Sequence, residues 1–317
     1  MEDYYLEFEK PIKEIDSKIL ELETEGSSKN ASELSSLKTN RESTLKEIFS
    51  NLTRWQRVQL ARHPQRPLSL DYINYMSPDF IELHGDRYFG DDKAVICGIG
   101  TVDQEKVVII GQQKGQNTKE NLLRNFGMMR PEGYRKALRV MKLADKFNLP
   151  IITLLDTPGA YPGVGAEERG QGEAIARNLL EMSKLEVPII SVVIGEGASG
   201  GALGIGVCDR MIMLENTWYS VISPEGCASI LWRDAEKAPE AADAMKVMPD
   251  DLKKMGICDR IINEPLGGAH REFDKMAPKL KKIILEEISL IKKNNKVSLL
   301  DSRIERYDKM GIFLESS

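Results

Sequence analysis

Histidine is scarce in this 317-residue sequence: only His63, His84 and His270 occur. A Ser–His or Cys–His nucleophilic pair therefore has few bases to draw on. The four cysteines, Cys97, Cys208, Cys227 and Cys258, form no C-x-x-C pair, which excludes a zinc ribbon within the chain. They are expected to be buried, reduced thiols of a cytosolic protein. No G-x-x-x-x-G-K-[ST] phosphate loop is present. The longest apolar run, near Val187 to Ile194, is far too short to span a bilayer, so no membrane partner is expected. The N-terminal Met1-Glu2-Asp3-Tyr4-Tyr5 is acidic and lacks an apolar h-region, so a signal peptide is not expected and a cytoplasmic location is. A net charge of −5 argues against a nucleic-acid-binding surface. Repeats and low-complexity tracts are also missing.

What the chain does have is glycine at two strand ends. Val187 to Ile194 reads as a strand and is followed by Gly195-Glu196-Gly197-Ala198-Ser199-Gly200-Gly201-Ala202-Leu203. About thirty residues earlier, Asp156-Thr157-Pro158-Gly159-Ala160-Tyr161-Pro162-Gly163-Val164-Gly165 follows another apolar strand. Glycine lets a backbone come into contact with a ligand. A helix start presents free N–H groups with the positive end of the dipole behind them. Two such turns suggest a site built from backbone donors, suited to a developing oxyanion.

The first sixty residues predict two amphipathic helices. Ile12, Ile15, Ile19 and Leu22 form one stripe, and Leu34, Leu37, Leu45, Ile48 and Leu52 another, after the polar break Glu25 to Asn30. Such short helices must pack on the main domain or on a partner. Strands are predicted at Ala94 to Thr101, Val107 to Gly111, Ile151 to Leu155, Ile189 to Ile194, Met211 to Leu214 and Trp218 to Ile222. Helices are predicted at Pro131 to Phe147, Glu167 to Leu185, from about Gly201, and at Phe273 to Ile291. Ser223-Pro224-Glu225 reads as an N-cap, a proline at N1 and an acid in the first turn. The alternation indicates an α/β domain with parallel pairings.

Alternative chemistries fit less well. Gly195 to Gly200 matches G-x-G-x-x-G formally, but no suitable acid follows about twenty residues on. Gly197-Ala198-Ser199-Gly200-Gly201 resembles a nucleophile elbow, for which His270 alone follows in the order such enzymes use. The glycines also have a plain reading, tight strand-to-helix packing. Two basic groups, Arg54, Arg57, Arg62 and Arg66, then Lys114, Lys119, Arg124, Arg130, Arg135, Lys136 and Arg139, read either as solvated faces or as contacts to an anion or an acidic subunit.

Several segments together resemble one family. Ala61-Arg62-His63-Pro64-Gln65-Arg66-Pro67, Asn125-Phe126-Gly127-Met128, Pro131 to Ala137, Asp156 to Gly170 and Ser223 to Trp232 are similar to the carboxyltransferase alpha subunits of multisubunit acetyl-CoA carboxylase. The resemblance runs from the N-terminal hairpin to about His270. It departs at Gln112 and Gln116, where His and Arg are expected, and at Ala198, where Gly is usual.

The resemblance implies a crotonase-like spiral of ββα units at 61–270, an assembly hairpin at 1–60 and a C-terminal helical extension at 271–317. It implies a beta subunit that carries the zinc ribbon and most of the coenzyme A site, in an α2β2 core. It implies carboxyl transfer from biotin on the biotin carboxyl carrier protein to acetyl-CoA, giving malonyl-CoA for fatty acid synthesis. ATP is then consumed by a separate biotin carboxylase. The expected donors to the biotin ureido oxygen are the N–H groups of Gly201 and Ala202. Gly200 provides clearance, and Gly163 and Val164 line the adjoining wall. A related biotin-dependent decarboxylase, another acyl-CoA carboxyltransferase and a non-catalytic scaffold are the competing readings.

Overall fold

The computed structural model describes residues 4–25, 31–293 and 296–311. Its centre is an eight-stranded mixed sheet. The strands are β1 (Ile81–Glu82), β2 (Val95–Val102), β3 (Glu105–Gln112), β4 (Ile151–Thr157), β5 (Ile189–Ala198), β6 (Arg210–Leu214), β7 (Trp218–Ser220) and β8 (Arg260–Ile262). The order is β1-β2-β3-β4-β5-β6-β8, with β7 also paired to β5. β1, β2 and β3 are antiparallel, and pairing from β3 through β8 is parallel. β4 and β5 are buried along their whole length, as a sheet covered on both faces requires.

One face is covered by helices Pro131–Lys146 and Gln171–Met182, which enclose Val108, Ile110, Leu155 and Val193. The other is covered by Ser69–Met76 and Phe273–Lys292, over Ile109, Leu154, Val192 and Ile212. The alternation along β3 to β5 therefore feeds two cores with one set of strands. β5 is unusually long. Its first half pairs with β6 and its last three residues with β7. Where β4 meets that extension, the register shifts between Leu155 and Thr157, which places Asp156 at a bulge.

The expected N-terminal helices are present at Lys10–Glu25 and Ala31–Ser50. Ile12, Ile19 and Leu45 are buried. Leu52 lies beyond the second helix, because Thr53 caps the next one by accepting from Gln56 N. The predicted break overlaps residues 26–30, which lie outside the described residues. The single helix expected over Glu167 to Leu185 is in fact two, Val164–Glu168 and Gln171–Met182. Gly170, at φ 82°, supplies the left-handed residue that separates them. The Trp218 strand stops at Ser220, and Cys227 is only half-buried, unlike the other three thiols.

Candidate active site

β5 does not end at Ile194. It runs through Gly195 and Gly197 to Ala198, and the next helix begins at Ser199, two residues before the expected start. Gly195 and Gly197 are thus strand residues, which removes the dinucleotide-turn reading of G-x-G-x-x-G. Their role is close packing. A Cβ on Gly195 would lie 2.3 Å from Asp156 Oδ1, and one on Gly197 would lie 2.5 Å from the Tyr219 ring.

Ser199 enters the helix at φ 58°, a left-handed conformation uncommon for a side chain other than Asn or Asp. The nucleophile-elbow reading fails at the base. His270 stacks on His63 with ring centroids 3.9 Å apart, and neither buried nitrogen of His270 has a hydrogen-bond partner. Burial pushes its pKa down to about 2, so it is neutral at pH 7.

The helix Ser199–Leu203 follows Ala198 as its N-cap, so the N–H groups of its first turn, Ser199, Gly200 and Gly201, have no intrahelical acceptor. Gly201 and Ala202 are buried, Gly200 is half-buried, and Ser199 is exposed. The Gly201 Cα faces the other glycine turn. A Cβ there would lie 2.2 Å from Gly159 C and 2.5 Å from Ala160 N. Two backbones therefore touch, and only glycine permits it.

The Gly159 turn is itself tied. Thr157 Oγ1 donates to the Gly159 carbonyl at 2.7 Å, and Tyr161 N donates to Met129 O. Gly163 is the N-cap of Val164–Glu168. Val164 is 74% exposed. A cavity of about 380 Å³ opens beside Ser199 and Gly200, lined by Leu203, Tyr219, Val221 and Val247 among others. The structure thus brings Gly201 against Gly159 and Ala160, with Gly200 and Ala202 its neighbours in the same helix start. Gly163 and Val164 follow on the same loop.

Beneath the turns lies a charged cluster that the sequence reading did not foresee. Lys114 Nζ is 2.7 Å from both Asp156 and Glu196. Glu196 also receives Arg62 Nε at 2.6 Å, and Arg62 reaches on to Glu225. Glu196 N donates to Asp156 Oδ1 at 3.1 Å, joining the ends of β4 and β5. Burial works against every charge here. Even so, Asp156 and Glu196 hold the Lys114 ammonium above its usual range, and Lys114 and Arg62 hold the Glu196 carboxylate below its own. The available signal was a carboxylate just after each apolar run, Asp156 three residues before Gly159 and Glu196 between Gly195 and Gly197.

Several residues of the two basic groups turn inward for the same reason. Arg66 is buried against Glu264 at 2.6 Å, and Lys136 binds Asp91 at 2.7 Å. Arg135 pairs with Asp86 at 2.9 Å. Among the described residues no group of three or more His, Cys, Asp or Glu is placed to hold a metal ion.

A family model described as acetyl co-enzyme A carboxylase carboxyltransferase-like matches residues 5–311. The chain belongs to this family. Its sequence is 53% identical over 328 residues to the acetyl-coenzyme A carboxylase carboxyl transferase subunit alpha of Chlorobaculum parvum, covering 98% of each chain. Among solved structures it resembles a Pseudomonas malonate decarboxylase hetero-tetramer in complex with coenzyme A, with TM-score 0.58 and 15% identity, over 75% of this chain and 92% of that one. It also resembles the transcarboxylase 12S hexamer, with TM-score 0.56 and 19% identity, over 78% of this chain and 42% of that one. The fold is the α/β, crotonase-like fold these structures share, and the chain is an enzyme subunit of the carboxyl-transfer class. Among the described residues no helix is long and apolar enough to cross a membrane.

Proposed function

We propose that this chain supplies the biotin side of a split site, completed by a beta subunit that holds most of the coenzyme A and a zinc ribbon. The reaction moves a carboxyl group from carboxybiotin, on the biotin carboxyl carrier protein, to acetyl-CoA, giving malonyl-CoA for fatty acid synthesis. A separate biotin carboxylase consumes the ATP, the core is α2β2, and the enzyme works in the cytoplasm. The observation that carries this reading is the Gly201 helix start, seated on the Gly159 turn beside an apolar cavity. An uncharged bicyclic ring suits such a cavity, and its ureido oxygen suits backbone donors.

Biotin, when bound, supplies the carboxyl group and then a ureido anion able to take the α-proton of the acetyl group. This chain's part is electrostatic. The N–H groups of Gly201 and Ala202 donate to the ureido oxygen as charge develops there. Gly200, which has no side chain, lets the ring approach, while Gly163 and Val164 form the adjoining wall. One preorganised donor of this kind is worth roughly 10²–10³ in rate. A histidine base is unnecessary, which fits the neutral, stacked His63 and His270. The hairpin Lys10–Glu25 and Ala31–Ser50 serves assembly.

The test is malonyl-CoA decarboxylation driven by free biotin. The chain mixed with its beta subunit should turn over, and either one alone should not. Robust turnover by this chain alone would exclude the split site.

A further inference from the structure

Gln112 ends β3, and its side chain is fully buried. A buried primary amide needs partners for both its carbonyl and its N–H groups. Gln112 finds them on the two strand-end turns. Its Nε2 donates to the Gly201 carbonyl at 2.7 Å, and its Oε1 accepts the Asp156 backbone N–H at 3.1 Å. Nε2 also lies 3.5 Å from Met129 Sδ. A carbonyl can only accept and a backbone N–H can only donate, so the partners fix the amide's orientation.

The Gly201 carbonyl has left the helical ladder. The bonds at the end of the short helix run from Gly204 N to Gly200 O, Ile205 N to Ala202 O and Gly206 N to Leu203 O. The Gly201 oxygen instead takes Gln112 and, at 3.2 Å, the hydroxyl of the fully buried Tyr134. A peptide group is planar, so aiming the Gly201 carbonyl also aims the Ala202 N–H, in the opposite direction. Donors on the carbonyl polarise the peptide and strengthen that N–H.

We propose that Gln112 is a positioning residue for carboxyl transfer. It locks the orientation of the Gly201–Ala202 peptide and ties it to the Asp156 strand end, so that the two turns keep their spacing. This rests on the reading of that peptide as donor to the ureido oxygen. Gln112 acts through the backbone and touches no substrate.

The chemistry of the position supplies the test. A neutral imidazole carries one donor and one acceptor and can replace both bonds, whereas an imidazolium cannot accept the Asp156 N–H. Methionine has similar length and makes neither bond. Gln112→Met, Gln112→His and Tyr134→Phe are to be assayed in the alpha–beta assembly by biotin-dependent malonyl-CoA decarboxylation.

For Gln112→Met, kcat should fall about 10- to 100-fold with KM for malonyl-CoA nearly unchanged. Gln112→His should recover most of the rate at neutral and high pH and lose it as the imidazole charges, below the ordinary pH of about 6.5 because the position is buried. The native enzyme should lack that limb. Tyr134→Phe, which keeps the Asp156 tie, should lose less than Gln112→Met. If Gln112→Met does not assemble, the recovery and pH limb of Gln112→His decide. Normal kcat in Gln112→Met, or a Gln112→His enzyme without recovery, overturns the proposal. If Gly200→Ala loses activity while Gln112→Met keeps it, the positioning role alone is wrong. If both keep it, the donor-turn reading is wrong as well.

Discussion

Adding one methyl at Gly201 should separate stability from chemistry. In Gly201→Ala the new Cβ falls 2.2 Å from Gly159 C, 2.5 Å from Ala160 N and 2.6 Å from Gly159 Cα, all backbone atoms. Carbon–carbon contact is comfortable only from about 3.5 Å, so the turns must part by roughly 1 Å. Neither yields freely. Thr157 holds the Gly159 carbonyl, and Gln112 and Tyr134 hold that of Gly201. Overpacking of this kind costs about 1–3 kcal/mol. At about 2–4 °C per kcal/mol for a chain of this size, Tm should fall by several degrees without loss of the fold. A displacement of about 1 Å at a reacting centre costs on the order of 10²-fold in rate. Biotin-dependent malonyl-CoA decarboxylation in the assembled complex reads the chemistry, and thermal melting with sizing reads the fold. Gly172→Ala is the control. A Cβ there meets nothing within 4 Å, and alanine in a helix is better than glycine by up to about 1 kcal/mol. It should keep its rate and melt slightly higher. A Gly201→Ala enzyme with normal kcat would refute the reasoning.

Other outcomes follow from the same structure. Deleting residues 1–50 should disrupt the complex in light scattering, and normal assembly by the truncated chain would contradict the assembly role of the hairpin. Arg303 is buried, bonded to Asp209 and to the carbonyls of Met182, Leu185 and Val187. Arg303→Leu should therefore cost about 3–5 kcal/mol by urea titration, because Asp209 is left buried and unpaired. Burial depresses the pKa values of both His63 and His270. The unfolded chain takes up protons below about pH 6.5 that the folded chain refuses, so stability is lost as pH falls, by up to about 1.4 kcal/mol per pH unit for each imidazole. Melting from pH 7.5 to 5 should fall more steeply in the native chain than in His270→Leu, and equal slopes would discount the pair.

The sheet was largely legible because its strands are short apolar runs bounded by turn residues. The Ser223 cap was equally local: its Oγ accepts Gly226 N at 3.1 Å, with Pro224 at N1. What could not be read spans long separations. Gln112 meets Gly201 across 89 residues, and Arg62 meets Glu196 across 134. No periodicity encodes either contact. The basic residues looked like solvated faces because their carboxylate partners lie on distant strand ends. The Gly201 turn was visible as composition, but its contact with Gly159 needed the parallel pairing of β4 and β5. The break at Gly170 was missed although an Arg-Gly-Gln-Gly run marks it, because the charges after Val164 fit a longer helix equally well.

Gly200→Ala tests the central claim most directly. In the chain as it stands, the new Cβ would meet only Ile175, at 3.5 Å, so neither fold nor assembly should change. If Gly200 exists to let the biotin ring reach the Gly201 and Ala202 N–H groups, the decarboxylation rate should collapse while Tm and sizing stay native. A Gly200→Ala complex with native rate and native affinity for biotin would contradict the account.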